Sequence, residues 1–307
     1  MKRTACTAFA LLAAFLVPAA AQAQSFRAYV SVNGNDANPC TVAAPCRLLP
    51  AALAAVASNG EIWMLDSANY NSGAVAITKN VAILAIPGAV GSLVAVNGAP
   101  ALTITGVNVK LRNVVIANNA TNAGSDGIQI SGGSLDVAES QVSALINGIT
   151  ATNATVRVHH SVFRDSSNGI VSFGNSSVEV WNSRFTAMGT AGVWGRADAA
   201  SAAGKVSVSD SSFANVPFGV IANAENATAT MKAMVSRSTF AVGVTAISVQ
   251  NVAGTGARAT VSGSTFSNHS AALSNFGGAI LESAGNNTAG STNTTAISGT
   301  ATNIGRF

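Results

Sequence analysis

Residues 156–170, Val-Arg-Val-His-His-Ser-Val-Phe-Arg-Asp-Ser-Ser-Asn-Gly-Ile, decide the fold, because their pattern recurs along the chain. In most copies a serine is followed two residues later by an aromatic or aliphatic anchor, and Gly or Ala with an aliphatic partner comes after it. The anchors are Ile116, Val142, Phe163, Phe185, Phe213, Phe240 and Phe266, at steps of 21 to 28 residues. A repeat of this length is typical of solenoid proteins, in which each coil stacks on the previous one.

Short strands are expected on either side of each anchor. Alternating triplets such as Val156-Arg157-Val158 and Val178-Glu179-Val180 precede the serine, and a period of two indicates a strand with one buried face. Gly, Asn and Ser separate these segments, and none is long or amphipathic enough for a crossover helix. The sequence therefore predicts an all-β parallel solenoid with the five Phe anchors stacked inside it.

The residue four positions before each serine gives an independent check of this alignment. Lys110, Asp136, Arg157 and Glu179 occupy the position in successive coils, and their charges alternate in sign. Opposite charges on neighbouring strands attract each other by about 0.2–1 kcal/mol. The alternation supports the alignment and predicts that Asp136 and Glu179 are partners in an outward ladder.

The first 23 residues predict export. They contain a basic start, an apolar run too short to span a membrane, and the small-x-small pattern Ala21-Gln22-Ala23, as in a secretory signal peptide. The mature chain is therefore expected in the periplasm or outside the cell, without a transmembrane segment. Its 284 residues carry 14 basic and 12 acidic side chains, about +2 in formal charge. Because the basic residues form no cluster, nucleic acid is not an expected partner.

The mature chain divides into three segments. Residues 24–60 are expected to form an N-terminal cap with a helix over Leu48–Ala57, stopped by Asn59-Gly60. Residues 61–285 form the coils, and the Asn/Thr/Gly-rich residues 286–307 form a C-terminal tail or cap.

Two cysteines lie in the N-terminal cap. In an exported chain, the even pair Cys40 and Cys46 indicates a disulfide that closes a small loop. Free thiols are the alternative. A metal site would need further ligands, and the segment between the two cysteines offers no His.

Three features together carry a family resemblance: the opening Tyr29-Val30-Ser31-Val32-Asn33-Gly34-Asn35-Asp36, the Cys40–Arg47 segment with its helix, and the Val-x-Val-x-x-Ser-x-Phe coils. On these features the chain resembles the pectin-lyase-like superfamily, and its opening looks like that of poorly characterised secreted bacterial members. The resemblance covers nearly all of residues 25–285. It implies a single-stranded right-handed parallel β-helix with a short N-terminal capping helix. It also implies a polysaccharide or cell-surface glycan as partner, bound along an outer groove.

The enzymatic signatures of that superfamily are not recognisable here. Hydrolytic relatives use clustered Asp residues, and the lyases hold calcium with several carboxylates. The twelve carboxylates of this mature chain are dispersed, and no two are adjacent. We therefore expect no metal or cofactor, and calcium only if the chain is a lyase.

Two neighbouring columns of the solenoid, with the residues just beyond the turn, supply a candidate outward patch. An aromatic there stacks on a sugar, an Arg holds a carboxylate, and a His beside a carboxylate acts as general base. The candidate catalytic residues are His160, Asp165 and Arg184. The candidate substrate-binding residues are Arg112, Glu139, His159, Trp181 and Asp210. The alternative is a solvated turn column without function, and His269 is expected to be a surface residue.

The function that these observations favour is an exported β-helix protein that binds polysaccharide or acts at the cell surface, without a recognisable catalytic site. A polysaccharide lyase or glycoside hydrolase acting in the outer groove is the first alternative. A structural, adhesin-like spacer is the second. The coil pattern specifies the fold and leaves the choice among these open.

Overall fold

The computed structural model describes residues 24–118 and 125–304, whose strands wind into a parallel β-solenoid, as the repeats predict. Thirty strands, numbered β1 to β30 in chain order, and one helix, α1 (Leu49–Ala55), occupy these residues. No helix within these two ranges has the length and apolar character needed to cross a membrane. The predicted signal peptide, residues 1–23, lies outside the described residues.

Strands from successive coils pair in three parallel ladders. The first ladder contains β1 (Ser25–Val30), β2 (Val56–Met64), β5 (Val81–Ala85), β8 (Asn108–Arg112), β11 (Ser134–Ala138), β14 (Thr155–His159), β17 (Ser177–Trp181), β20 (Ala203–Ser209), β23 (Thr230–Ser236), β25 (Gly256–Ser262), β27 (Ile280–Ser283) and β30 (Thr302–Asn303). The second contains β3 (Ala68–Asn69), β6 (Gly91–Ala95), β9 (Val114–Asn118), β12 (Gln141–Ser143), β15 (Val162–Arg164), β18 (Arg184–Thr186), β21 (Ser212–Ala214) and β28 (Thr288–Ala289). The third contains β4 (Val75–Ile77), β7 (Leu102–Thr105), β10 (Ile128–Ser131), β13 (Asn147–Thr152), β16 (Asn168–Phe173), β19 (Ala191–Ala197), β22 (Phe218–Ala224) and β29 (Thr295–Ser298).

Two long strands join the second and third ladders into one sheet. β24 (Thr239–Asn251) and β26 (Thr265–Phe276) take part in both ladders, and their mutual pairing continues through the corner at Gly243 and His269. The second and third ladders therefore form a single 18-stranded sheet, opposite the 12-stranded first ladder.

The interior is organised by the predicted stack of aromatic rings. Phe163, Phe185, Phe213, Phe240 and Phe266 pair in register on successive coils, and each is at most 2% exposed. Adjacent ring centroids are 4.6 to 5.3 Å apart and the planes differ by 4° to 20°. This spacing follows that of neighbouring strands, so the register sets the ring geometry.

Glycines beside the stack explain the recurring Gly-aliphatic pair. A Cβ added to Gly148, Gly169, Gly192 or Gly219 would come within 2.5 to 2.9 Å of a Phe ring carbon. A larger residue in this column would therefore push into the stack, and the glycine is the complement of the anchor on the neighbouring coil.

The outward charge column has the predicted register. Lys110, Asp136, Arg157 and Glu179 are consecutive partners along the first ladder. Arg157 Nε lies 3.2 Å from Glu179 Oε2, whereas Asp136 Oδ1 lies 3.2 Å from Nε2 of His159.

The N-terminal segment is held by a disulfide and a carboxylate. Cys40 and Cys46 form the predicted disulfide, with Cα atoms 4.6 Å apart. Oδ1 of Asp36 accepts hydrogen bonds from the N–H groups of Arg47 at 2.8 Å and Leu48 at 2.7 Å. The acidic residue of the opening motif therefore orders the chain just before α1.

The helix is shorter than predicted. α1 ends at Ala55 and β2 begins at Val56, so Asn59-Gly60 lies inside a strand and does not stop the helix. Val56 pairs with Ser25 of β1, and its branched side chain favours the extended conformation. α1 buries Leu49, Ala52 and Leu53.

The prediction that His269 lies on the surface is wrong. This side chain is only 4% exposed, because its imidazole packs against the backbone of Gly243 on the neighbouring coil. Its Nδ1 is buried and has no hydrogen-bond partner within the described part of the chain. Burial lowers the pKa of His269.

Replacing Phe213, which has a stacked ring on each side, with Ala should reduce the free energy of unfolding by about 3–5 kcal/mol, because a cavity remains in the stack. Urea denaturation measures the change. Phe276→Ala is the control, since that ring is 53% exposed and should cost about 0.5 kcal/mol or less. Equal effects of the two substitutions would contradict the stacked core.

Acid should destabilise the wild-type protein more than His269→Asn. Because the folded state favours the neutral imidazole, the unfolded chain binds the proton more readily, and stability is lost as the pH falls below about 6.5. Urea midpoints at neutral and acidic pH, compared between wild type and variant, isolate this residue because His159 and His160 are common to both. If the difference in urea midpoint between wild type and variant is the same at neutral and acidic pH, the burial of a neutral imidazole is contradicted.

Candidate functional site

A left-handed residue turns the chain between the first and second ladders in successive coils. The column comprises Asn113, Glu139, His160, Asn182, Asp210, Arg237 and Gly263, with φ between 46° and 57°. Gly, Asn, Asp and His tolerate this conformation, whereas Glu and Arg adopt it less readily. Most of these side chains are exposed, so the turn presents a row of functional groups to solvent.

A ladder of buried serines supports this corner from beneath. The N–H of Ser161 donates to Oγ of Ser183 on the next coil at 3.2 Å, and Oγ of Ser161 donates to the carbonyl of His159 at 2.9 Å. The same pair of bonds recurs at Ser140, Ser183, Ser211 and Ser238. The backbone that carries the outward column is therefore fully hydrogen-bonded and rigid.

Two shallow grooves adjoin along this corner. The larger, of about 570 Å³, is lined by His160, Asn182, Arg184, Asp210 and Arg237 among others. The smaller, of about 250 Å³, includes Asn113 and Glu139, and both grooves share His160 and Val162. Because they share these residues, we treat them as one corner groove that runs along the stacked coils.

An unpaired arginine lies at the centre of the corner groove. Arg184 is exposed, and no ion pair or side-chain hydrogen bond holds its guanidinium within the described residues. Val162 and Ser212, its neighbours along the second ladder, are uncharged. His160 Nε2 and Asn182 Nδ2 lie 3.5 Å apart at the adjoining turn. The centre therefore offers five N–H donors and a positive charge to a ligand.

At both ends of the groove, an arginine and a carboxylate of the protein neutralise each other. Arg112 donates to both carboxylate oxygens of Glu139 at 3.1 and 2.9 Å. Arg237 makes the same two-point contact with Asp210, at 2.7 Å for each bond. The bonds from Arg112 lower the pKa of Glu139, and those from Arg237 lower the pKa of Asp210. Both carboxylates therefore stay ionised and do not serve as proton donors near neutral pH.

An aromatic platform with a hydrogen-bonded chain lies on the first-ladder side of the corner. The rings of His159 and Trp181 are parallel within 6°, with centroids 4.5 Å apart. His159 Nε2 lies 3.2 Å from Asp136 Oδ1, and its Nδ1 lies 3.2 Å from Nδ1 of His160. The next side chain along the column is Ser209, which is too small to cover the second face of the indole.

These contacts fit one combination of tautomers for the pair. When Nε2 of His159 donates to Asp136, Nδ1 of His159 accepts the hydrogen bond from Nδ1–H of His160. His160 then keeps its Nε2 lone pair on the side of the corner groove, facing Asn182. Such an arrangement orients a basic nitrogen, as in other carboxylate–histidine pairs.

Asp165 is separated from the other candidates. It follows β15 at the next corner, adopts a left-handed conformation, and pairs with Arg164 at 2.6 Å. It lines a different groove, with Asn118 and Ile146. The structure thus brings together His160, Arg184, Glu139 and Asp210, with His159 and Trp181 beside them, and places Asp165 elsewhere.

Two residues of the site were not among the sequence candidates. Arg237 neutralises Asp210, and Asn182 contacts His160. Both belong to the turn column, so the register that located His160 also located them. The register does not determine which member of the column pairs with each charged group, because that pairing depends on side-chain conformation.

The described residues do not form a metal site from acidic, His or Cys side chains. Nowhere in 24–118 and 125–304 do three or more of these groups converge to hold an ion.

No family model and no curated protein matches the sequence. Solved structures do match the fold. Pectate lyase Pel9A has a TM-score of 0.66 at 15% identity, over 90% of this chain and 78% of that one. The alginate lyase from Paenibacillus sp. str. FPU-7 has a TM-score of 0.56 at 14% identity, over 91% of this chain and 100% of that one. XylC in complex with xylose has a TM-score of 0.55 at 9% identity, over 86% and 70% respectively.

Proposed function

We propose that this chain, a parallel β-helix with the pectin-lyase-like fold, binds an acidic polysaccharide in the corner groove. The observation that carries the proposal is the unpaired Arg184 guanidinium at the groove's centre, next to His160 and Asn182. An exposed Arg without an internal partner is free to make a bidentate contact with a carboxylate.

The shape of the site favours a polymer. The groove is open and follows the stacking direction of the coils, so a long chain can enter from the side and continue past both ends. Side chains such as Asn182, Ser212 and Thr239 supply donors and acceptors for sugar hydroxyls. The uncovered face of Trp181 is suited to stacking against a sugar ring.

The structural neighbours support this ligand class by analogy of fold. Two of them are named as lyases of pectate and alginate, and a third was solved with xylose. A shared fold alone does not transfer an activity, so the argument rests on the residues of the groove.

We further propose that the protein acts after export, in the periplasm or outside the cell. The Cys40–Cys46 disulfide persists in an oxidising compartment, and the leader in residues 1–23 supplies the route.

The finer architecture is also a proposal. We infer right-handed coils, since parallel strands joined within one sheet connect with that hand in about 98% of cases. We infer that α1 caps the solenoid, because it packs its apolar side on β1, β2 and β4 of the first coil.

Arg184→Gln should weaken binding to an acidic polysaccharide at least about tenfold, equivalent to about 1.4 kcal/mol, because the unpaired cation is lost. A panel of neutral and acidic polysaccharides, followed by calorimetric titration of those that bind, measures this. EDTA should leave the affinity unchanged, since Arg184 supplies the positive charge.

Arg164→Gln is the matched control, because it removes the same charge from the neighbouring corner, where Asp165 already compensates it. Equal losses of affinity in Arg184→Gln and Arg164→Gln would contradict binding in the corner groove. If the wild type binds no member of the panel, the proposal fails and a structural spacer becomes the better account.

The Asp136–His159–His160 chain favours a second function, elimination from a bound uronate. In this step Nε2 of His160 takes the proton beside the carboxylate that Arg184 holds. The C–H electron pair becomes a C=C bond, the C–O bond to the glycosidic oxygen breaks, and the leaving oxygen takes a proton from water, whose hydroxide recovers the proton from His160. The products are an unsaturated sugar at a new non-reducing end and a new reducing end, formed without any oxidant or reductant.

His160→Gln should lower the rate of unsaturated-product formation by about 10²–10⁴-fold while leaving polysaccharide binding in place. Ultraviolet absorbance of the product measures the rate, and calorimetry measures binding. Asp136→Asn should alter the pH profile of the rate, because it disturbs the tautomer of His159. A wild-type rate in the His160 variant, or no product from the wild type on any uronate polymer that it binds, would exclude this second function.

A further inference from the structure

We infer that the corner groove selects polysaccharides whose carboxylates are sparse, and that it disfavours polymers with a carboxylate on every sugar. This inference rests on the proposed function and specifies its ligand. The two are tested so that one can fail without the other.

The second-ladder side of the groove contains one charged position. Its outward column runs through Val115, Gln141, Val162, Arg184, Ser212 and Thr239 on successive coils. Arg184 is therefore a single cation between uncharged side chains. A polymer with one acidic sugar among neutral sugars places one carboxylate against this column and hydroxyls elsewhere.

The other arginines of the groove are already occupied. The guanidinium of Arg112 is filled by both oxygens of Glu139, and that of Arg237 by both oxygens of Asp210. A second ligand carboxylate would have to share a guanidinium whose charge a protein carboxylate already neutralises. It would then meet a protein carboxylate at close range in place of a free cation.

The carboxylates of the groove lie close to the sugars on either side of Arg184. Neighbouring strands are about 4.8 Å apart, so Asp210 is displaced by one coil from Arg184 and Glu139 by two coils in the other direction. Along the stacking axis these displacements are about 4.8 and about 9.6 Å. Because Arg237 and Arg112 already neutralise the two carboxylates, an acidic sugar on either flank loses hydration without meeting an uncompensated cation, whereas a neutral sugar does not bear this cost.

The test uses one backbone at several charge densities. A uronate polymer is esterified on its carboxyl groups to increasing extents, and each product, from fully acidic to fully esterified, is titrated calorimetrically at constant ionic strength. We expect the affinity to be highest at partial esterification, and to fall at least about fivefold for the fully acidic polymer and for the fully esterified one. The tightest binding by the fully acidic polymer would overturn the inference and leave the proposed function intact. Absence of binding by every product would overturn the proposed function itself.

Asp210→Asn provides the converse test. It removes an anion and frees Arg237, and Asn suits the left-handed conformation at this position. Affinity for the fully acidic polymer should rise severalfold, and the optimum should move toward higher charge density. Asp165→Asn is the matched control, because it makes the same charge change and frees Arg164 at the neighbouring corner. An equal gain in both variants would mean that net charge alone governs binding, which would overturn the inference.

Discussion

The coils between Ser140 and Ser264 depend on the hydrogen bonds of one buried serine each. At this corner a single left-handed residue turns the chain from one ladder to the next, which leaves the N–H of the serine without a backbone carbonyl partner. The serine Oγ of the next coil accepts that N–H at about 3.2 Å, and the same hydroxyl donates to a carbonyl two residues before it. A buried N–H left unpaired here would cost about 1–3 kcal/mol in every coil. The serine therefore holds successive coils in vertical register, and the Phe stack and the outward groove both follow from that register.

Much of this arrangement could be predicted from the sequence because register is a property of spacing. Once serine and anchor recur together, each inward column and each outward column is determined, so the Phe163–Phe266 stack and the His160–Asp210 column follow without knowledge of side-chain conformation. Length of the connecting segments varies, but the anchor and the serine keep a constant separation of two residues. The same reasoning located Asn182 and Arg237 in the turn column without indicating their contacts.

The contacts that each charged side chain makes, within its own column or with the adjacent one, could not be predicted, because several partners lie at similar distances. Asp136 has Lys110 and Arg157 as ladder neighbours, yet its carboxylate contacts His159 from the adjacent column. Asp165 lies five residues after His160, but a three-residue strand separates two left-handed turns, and it belongs to another corner. His269, isolated in the sequence after its Phe266 anchor, was expected on the surface, whereas β24 and β26 keep their pairing through that corner and enclose the ring.

The left-handed turn column also shows that the fold constrains the backbone conformation at these positions but does not determine their side chains. Backbone geometry at these positions is met at least cost by Gly, Asn or Asp, and Asn113, Asn182 and Asp210 satisfy it. Glu139 and Arg237 occupy the same conformation, in which such residues typically cost about 1–3 kcal/mol each. No packing gain offsets this, since their side chains point to solvent. Because the serine ladder and the Phe stack hold the backbone in place, the chain tolerates costly residues on this edge. Their side chains adjoin the unpaired Arg184, which is why the proposed ligand site includes this edge.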